Sequence, residues 1–142
     1  MIDAGLRAPV RTRLRNEIWF KLWGNVAFNP ISALTRSTLA EIGAEPALLS
    51  FVRAVMVEVE SIAAALGETM PLGVDARIDG AVAVGGHKTS MLQDLESGRA
   101  LELRGICSAV VELATLTGTA APNLRALEAM IRLLAGKLGL LA

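Results

Sequence analysis

Between residues 46 and 67 the apolar side chains Leu48, Val52, Val55, Met56, Val59, Ile62, Ala63 and Leu66 recur at steps of three and four. Such steps stack side chains on one face of a 3.6-residue turn, so this segment can bury a continuous stripe only as a helix. Gly67 supplies a natural stop. Strong period-two alternation, the mark of a half-buried strand, is absent beyond the first dozen residues. The fold class expected is all-α.

The remaining helices follow from punctuation. A first helix is expected from residue 12 or 13 to residue 29, with Thr12 as N-cap. Pro30 should stop or kink it, because the residue before a proline avoids helical dihedrals, and a helical continuation should reach about Arg36. Residues 75–85 lean weakly to helix, and Gly85-Gly86 marks a loop. Ser90-Met91-Leu92-Gln93 matches a capping box, so a short helix should open at Ser90 and close at Ser97-Gly98. Two more are expected over residues 101–117, ahead of Gly118, and from Pro122 to about Gly139. Residues 1–11 read differently: the end of a helix, a stop at Gly5 and an extended piece through Val10, with no self-sufficient unit.

Composition removes several functions. The 142 residues fit one domain, 53% of them apolar and 20% charged. That is too apolar for disorder and unusually apolar for a free-standing monomer of this size, so a homodimer is expected. Fourteen basic residues balance fourteen acidic ones, which argues against nucleic acid. No apolar run is long enough to span a membrane, and the N-terminus lacks the layout of a signal peptide. A single cysteine, Cys107, forbids an internal disulfide and suits a reducing, cytoplasmic setting. One histidine and one cysteine leave no basis for a metal site.

The informative residues are polar ones beside apolar stripes. On the first helix, Leu14, Ile18, Leu22, Val26 and Phe28 are expected to define the buried side. Lys21, Asn25 and Asn29 stand at i, i+4 and i+8 and share a face beside it, among Trp19, Phe20, Trp23 and Phe28. Either this is a solvent-facing strip, or something polar meets it, since an unpaired buried lysine is costly. Glu102 extends the stripe of Ile106, Ala109, Val110 and Leu113. It either favours the positive end of the helix dipole or points into a cleft. Ser90 reads as an N-cap, and the helix start behind Gly85-Gly86 would also offer backbone donors to an anion such as a carboxylate. His87 reads as a surface loop residue and Cys107 as a small buried one.

Together these segments resemble the ketopantoate reductase (2-dehydropantoate 2-reductase) family. Residues 19–30 carry a W-x-K-L-x-x-N-x-x-x-N-P pattern, and residues 89–102 carry T-S-M-x-Q-D-x-x-x-G-R-x-x-E. A weaker echo is Gly118 followed by Ala121-Pro122-Asn123. The resemblance implies the helical C-terminal domain of a two-domain enzyme, similar to the 6-phosphogluconate dehydrogenase C-terminal domain. The complete enzyme uses NADPH to reduce the ketone of 2-dehydropantoate to pantoate, on the route to pantothenate and coenzyme A. It implies that Lys21 is the general acid that protonates the ketone oxygen as hydride arrives. Asn25 and Asn29 would hydrogen-bond the substrate, Ser90 would bind its carboxylate, and Glu102 would accept a hydrogen bond from a substrate hydroxyl. An ammonium at the ketone oxygen suits that chemistry, since it both offsets developing negative charge and supplies the proton.

No G-x-G-x-x-G opens a strand–helix unit anywhere in the chain. Residues 1–11 are therefore expected to be a remnant of a nucleotide-binding domain, and residues 12–142 the helical substrate-binding domain. The chain alone is expected to bind no NADPH, with no cofactor-binding residue assigned. The expected partners are a 2-keto acid, a second copy of the chain, and a nucleotide-binding domain in cis or in trans. Two functions stand open: the substrate-binding half of a reductase, and a catalytically silent helical dimerisation or interaction module derived from one.

Overall fold

Residues 26–33 are buried without interruption, and a helix buried on every side must run through the middle of its domain. In a computed structural model, which describes residues 14–141, this stretch belongs to α1 (Leu14–Thr35). The extended piece expected in residues 1–11 and the Thr12 cap lie outside the described residues. Around α1 pack α2 (Leu39–Ala44), α3 (Pro46–Ala65), α4 (Val74–Val82), α5 (Ser90–Glu96) and α7 (Pro122–Leu138). A π-helical turn, Arg104–Ser108, also touches α1 and leads into α6 (Ala109–Thr117), which rests on α3 and α7. The described residues are all-α, with no strand beyond one isolated bridge. No helix among them is long and apolar enough to cross a membrane.

Of the two outcomes expected at Pro30 the stop does not occur, for Pro30 lies inside α1, and the helical continuation expected to about Arg36 is present to Thr35. A proline within a helix costs roughly 3 kcal/mol through the lost hydrogen bond and the ring clash. Phe28 and Ile31 flank it and are 3% and 2% exposed. Each buried side chain of that size stabilises by about 1.5–3 kcal/mol, so packing outweighs the local penalty. The helix ends instead at Thr35, where Arg36 takes φ 56° and Ser37 N–H donates to Ser32 O at 3.1 Å. The buried side also differs from the expected one. Leu14 and Ile18 are exposed, and Trp19 and Trp23 are buried in their place. Trp23 Nε1 donates to Met56 O at 2.8 Å and ties α1 to α3.

Sequence reading missed α2. Its capping box is Thr38 with Glu41: Thr38 Oγ1 accepts from Glu41 N–H at 3.3 Å, and Glu41 Oε2 accepts from Thr38 N–H at 2.7 Å. The hydrogen bond from the Thr38 backbone is the main cause that holds the Glu41 carboxyl below its ordinary pKa. The stripe of α3 is as expected over Val52–Ala63, all of whose expected members are buried, while Leu66 is exposed.

The helix expected over residues 101–117 is interrupted. Leu101 and Leu103 are both buried and Glu102 between them is exposed; Leu103 N–H turns back to donate to Leu101 O at 2.8 Å, and helical backbone begins only at Leu103. Leu101 N–H donates to Leu140 O at 2.8 Å, and Leu101 bridges Leu141 in parallel. Gly139, at φ 69°, turns the chain out of α7 so that it can reach this partner. The π-helical turn then brings Cys107 into line with Val110 and Ala114 on the buried side.

One carboxylate organises the start of α7. Glu58 on α3 accepts from Asn123 N–H at 3.0 Å, Asn123 Nδ2 at 2.7 Å and Leu124 N–H at 2.8 Å. These backbone donors belong to the first turn of α7, which has no intrahelical acceptor for them. Glu58→Ala should therefore cost about 2 kcal/mol, read as a lower urea midpoint with unchanged slope. A loss below roughly 0.5 kcal/mol would mean that water replaces the carboxylate without penalty.

Cys107 is fully buried, and its thiol is pushed up to about 12, by burial first and by Glu128 second. Glu128 is itself buried and accepts from Ser108 Oγ at 2.9 Å. The unfolded chain loses the thiol proton near pH ~8.5 while the native state keeps it to about 12, so the unfolded state binds fewer protons in between. Stability should fall as pH rises across that window, and Cys107→Ala should flatten this part of the profile. Native protein should also resist thiol reagents at pH ~9.

Candidate functional site

A cleft of about 370 Å³ opens where α1, α4 and the segment leading into α5 meet. Gly24, Asn25, Phe28 and Asn29 of α1 form its floor. Arg77, Gly80 and Ala81 of α4 form one wall, and His87, Thr89 and Ser90 form another. Two backbone bonds fix the second wall: Leu39 N–H donates to His87 O at 3.2 Å and Ala40 N–H to Gly85 O at 3.0 Å. The glycine loop thus presents carbonyls to the start of α2.

The polar strip of α1 runs from solvent into this cleft. Lys21 is exposed, Asn25 is half-buried and Asn29 is 5% exposed. Asn29 Nδ2 is buried and has no hydrogen-bond partner, a costly condition for an amide donor. Among the described residues one other buried side-chain polar atom lacks a partner, Arg77 Nε, and Arg77 lines the same cleft. Burial lowers the Arg77 pKa from its ordinary value. Its guanidinium lies over the Phe20 ring, 5.1 Å from the centroid, a cation–π contact. A Cβ on Gly24 would collide with that guanidinium. Glycine inside a helix costs about 1 kcal/mol relative to alanine, and the close approach of Arg77 is what position 24 gains in exchange.

The cleft brings together Asn25, Asn29 and Ser90 of the residues singled out from sequence. It does not include Lys21 or Glu102, both of which are exposed. Lys21 stands one turn before Asn25 on α1. Glu102 lies in the tight turn just ahead of the π-helical turn that packs on α1. Ser90 requires a correction. The N-cap of α5 is Thr89, whose side chain accepts from Leu92 N–H at 3.3 Å, and Ser90 is the first helical residue, exposed at the cleft. The expected box fails because Gln93 Nε2 reaches Lys88 O instead, at 2.9 Å. Arg77, Thr89 and His87 were not read as site residues. For Arg77 the available signal was Gly24, an unexplained glycine within a helical pattern. No group of acidic, histidine or cysteine residues able to hold a metal ion stands among the described residues.

Residues 13–135 match the family model described as "Ketopantoate reductase PanE/ApbA C terminal". The chain belongs to the ketopantoate reductase family. It is 52% identical over 139 residues to a 2-dehydropantoate 2-reductase of Mesorhizobium japonicum, covering 98% of this chain and 43% of that relative. Among solved structures it is similar to 2-dehydropantoate 2-reductase from Methylococcus capsulatus, with TM-score 0.88 and 30% identity over 96% of this chain and 48% of that one. It is also similar to a PanE/ApbA family ketopantoate reductase from Ralstonia eutropha JMP134, with TM-score 0.89 and 27% identity over 97% of this chain and 47% of that one. The chain therefore spans less than half the length of these relatives, and it corresponds to the family's C-terminal domain.

The capping assignment is directly testable. Thr89→Ala should destabilise the protein by about 1 kcal/mol, whereas Ser90→Ala should stay within about 0.5 kcal/mol of the parent. Thermal unfolding of both variants measures this, and the reverse order would return the cap to Ser90.

Proposed function

We propose that this chain is the substrate-binding half of a 2-dehydropantoate 2-reductase, holding a 2-keto acid in the cleft beside α1. The observation that carries the reading is the buried, unpartnered Asn29 Nδ2 on the cleft floor. A ligand oxygen is the acceptor that this donor lacks. Asn25 and Ser90 offer further neutral hydrogen bonds on the same surface, and Ser90, freed from capping, has its hydroxyl available for a carboxylate. In this reading the Lys21 ammonium supplies the proton to the ketone oxygen as negative charge grows there. Glu102 accepts a hydrogen bond from a substrate hydroxyl. A closing partner surface brings these two exposed residues to the ligand.

NADPH, when bound, supplies the hydride of this reaction. In this reading the dinucleotide belongs on a nucleotide-binding domain joined in cis or in trans, whose strand–glycine turn–helix unit is the usual seat for its pyrophosphate. A second copy of the chain is the other proposed partner, since Leu133, Leu138 and Leu141 leave large apolar side chains exposed around the end of α7. One observation favours a second reading, a catalytically silent helical module. Lys21 and Glu102 do not line the cleft that holds Asn25, Asn29 and Ser90.

Turnover and binding separate the two. The chain alone should oxidise no NADPH with 2-dehydropantoate. Mixed with the separately expressed nucleotide-binding domain of the Mesorhizobium relative, it should show turnover that Lys21→Ala abolishes. Calorimetric titration of the chain with 2-dehydropantoate should show binding that Asn29→Ala weakens by about tenfold, equivalent to about 1.4 kcal/mol. Binding without turnover in any mixture would favour the silent module. No binding at all would overturn the substrate assignment.

A further inference from the structure

Asn29 accounts for one of the two buried side-chain donors that lack partners among the described residues; the other belongs to a cation. Arg77 is the one residue of fixed charge among those lining the cleft. Its Nε is buried without an acceptor, and no ion pair engages its guanidinium among the described residues. Asp75, two residues earlier on α4, is taken by Arg53 at 2.7 Å. Phe20 supports one side of the guanidinium and the bare Gly24 backbone lets it lie against α1. A half-buried cation in this setting has lost much of its hydration and gained no counter-ion.

We propose that Arg77 is the charge receptor of the cleft, pairing with the carboxylate of the bound acid, and that Gly24 and Phe20 position it for this task. The proposal rests on the reading of the cleft as a 2-keto acid site. A guanidinium presents parallel N–H donors in a planar fork that matches the two oxygens of a carboxylate. Asn29 Nδ2, on the floor of the same cleft, is then free to meet a second oxygen of the ligand, such as the ketone. Ser90, a neutral hydroxyl on the facing wall, adds a hydrogen bond but cannot balance the charge. Arg77 thereby makes the site selective for acids over the corresponding amides and esters.

The full chain serves for the test, with 2-dehydropantoate and pivalate as probes; pivalate keeps a branched chain and a carboxylate but has no ketone. The Arg77 Nε–Hε resonance, assigned by its loss in Arg77→Lys, should move on titration with either acid and stay in place with pivalamide. Arg77→Met should weaken 2-dehydropantoate binding by at least about tenfold, and Arg77→Lys should recover part of the loss. Gly24→Ala keeps the arginine but displaces its guanidinium, so it should weaken binding as well, without lowering the melting temperature. If Arg77→Met binds 2-dehydropantoate as the parent does, and binding still depends on Asn29, the proposal falls and the substrate assignment stands. If only pivalate moves the Arg77 resonance, the proposal stands and the substrate assignment falls. If neither acid moves it, Arg77 is no carboxylate receptor.

Discussion

Everything in this domain hangs on the enclosure of α1. A helix whose residues 26–33 have no solvent-facing side takes its position from its neighbours, and α1 touches five other helices as well as the π-helical turn. That enclosure explains why Pro30 is tolerated, and it also fixes the site. The strip Lys21, Asn25, Asn29 follows one face of α1 and passes from water to interior within two turns. Asn29 is held by the core itself, so its amide has no freedom to seek solvent.

Much of this architecture was legible in the sequence. The stripe of α3, the start of α7 at Pro122 and the glycine stops were visible because helical period and terminal residues are local signals. The failures have tertiary causes. Pro30 reads as either a stop or a kink until the burial around it is known. Leu101 reads as helix because its bridge partner, Leu141, lies forty residues away. The choice between Thr89 and Ser90 as cap turned on one residue, within the usual uncertainty of a helix boundary, and Gln93 decided it by reaching Lys88. The short helix α2 was missed although its Thr38–Glu41 box was present.

The site was legible in part. The spacing of Asn25 and Asn29, together with the second motif, pointed to residues that do share a cleft with each other and with Ser90. Arg77 was invisible because its partners are contributed by α1, some fifty residues earlier, and its own helix has a weak pattern. Glu102 and Lys21 both occupy exposed positions, Lys21 on α1 and Glu102 just ahead of the π-helical turn that packs on it. Their joint use therefore depends on what covers that surface, a question of assembly more than of local sequence.

The contact between Gly24 and Arg77 also constrains how this family branch can change. Any side chain at position 24 would meet the guanidinium, so the two positions are epistatic. The guanidinium is the far end of a flexible side chain, so a Cβ at position 24 would push it aside, and the cost would fall on the pose of Arg77 and not on the packing of α1. The two positions are thus coupled in function even though 53 residues of chain separate them.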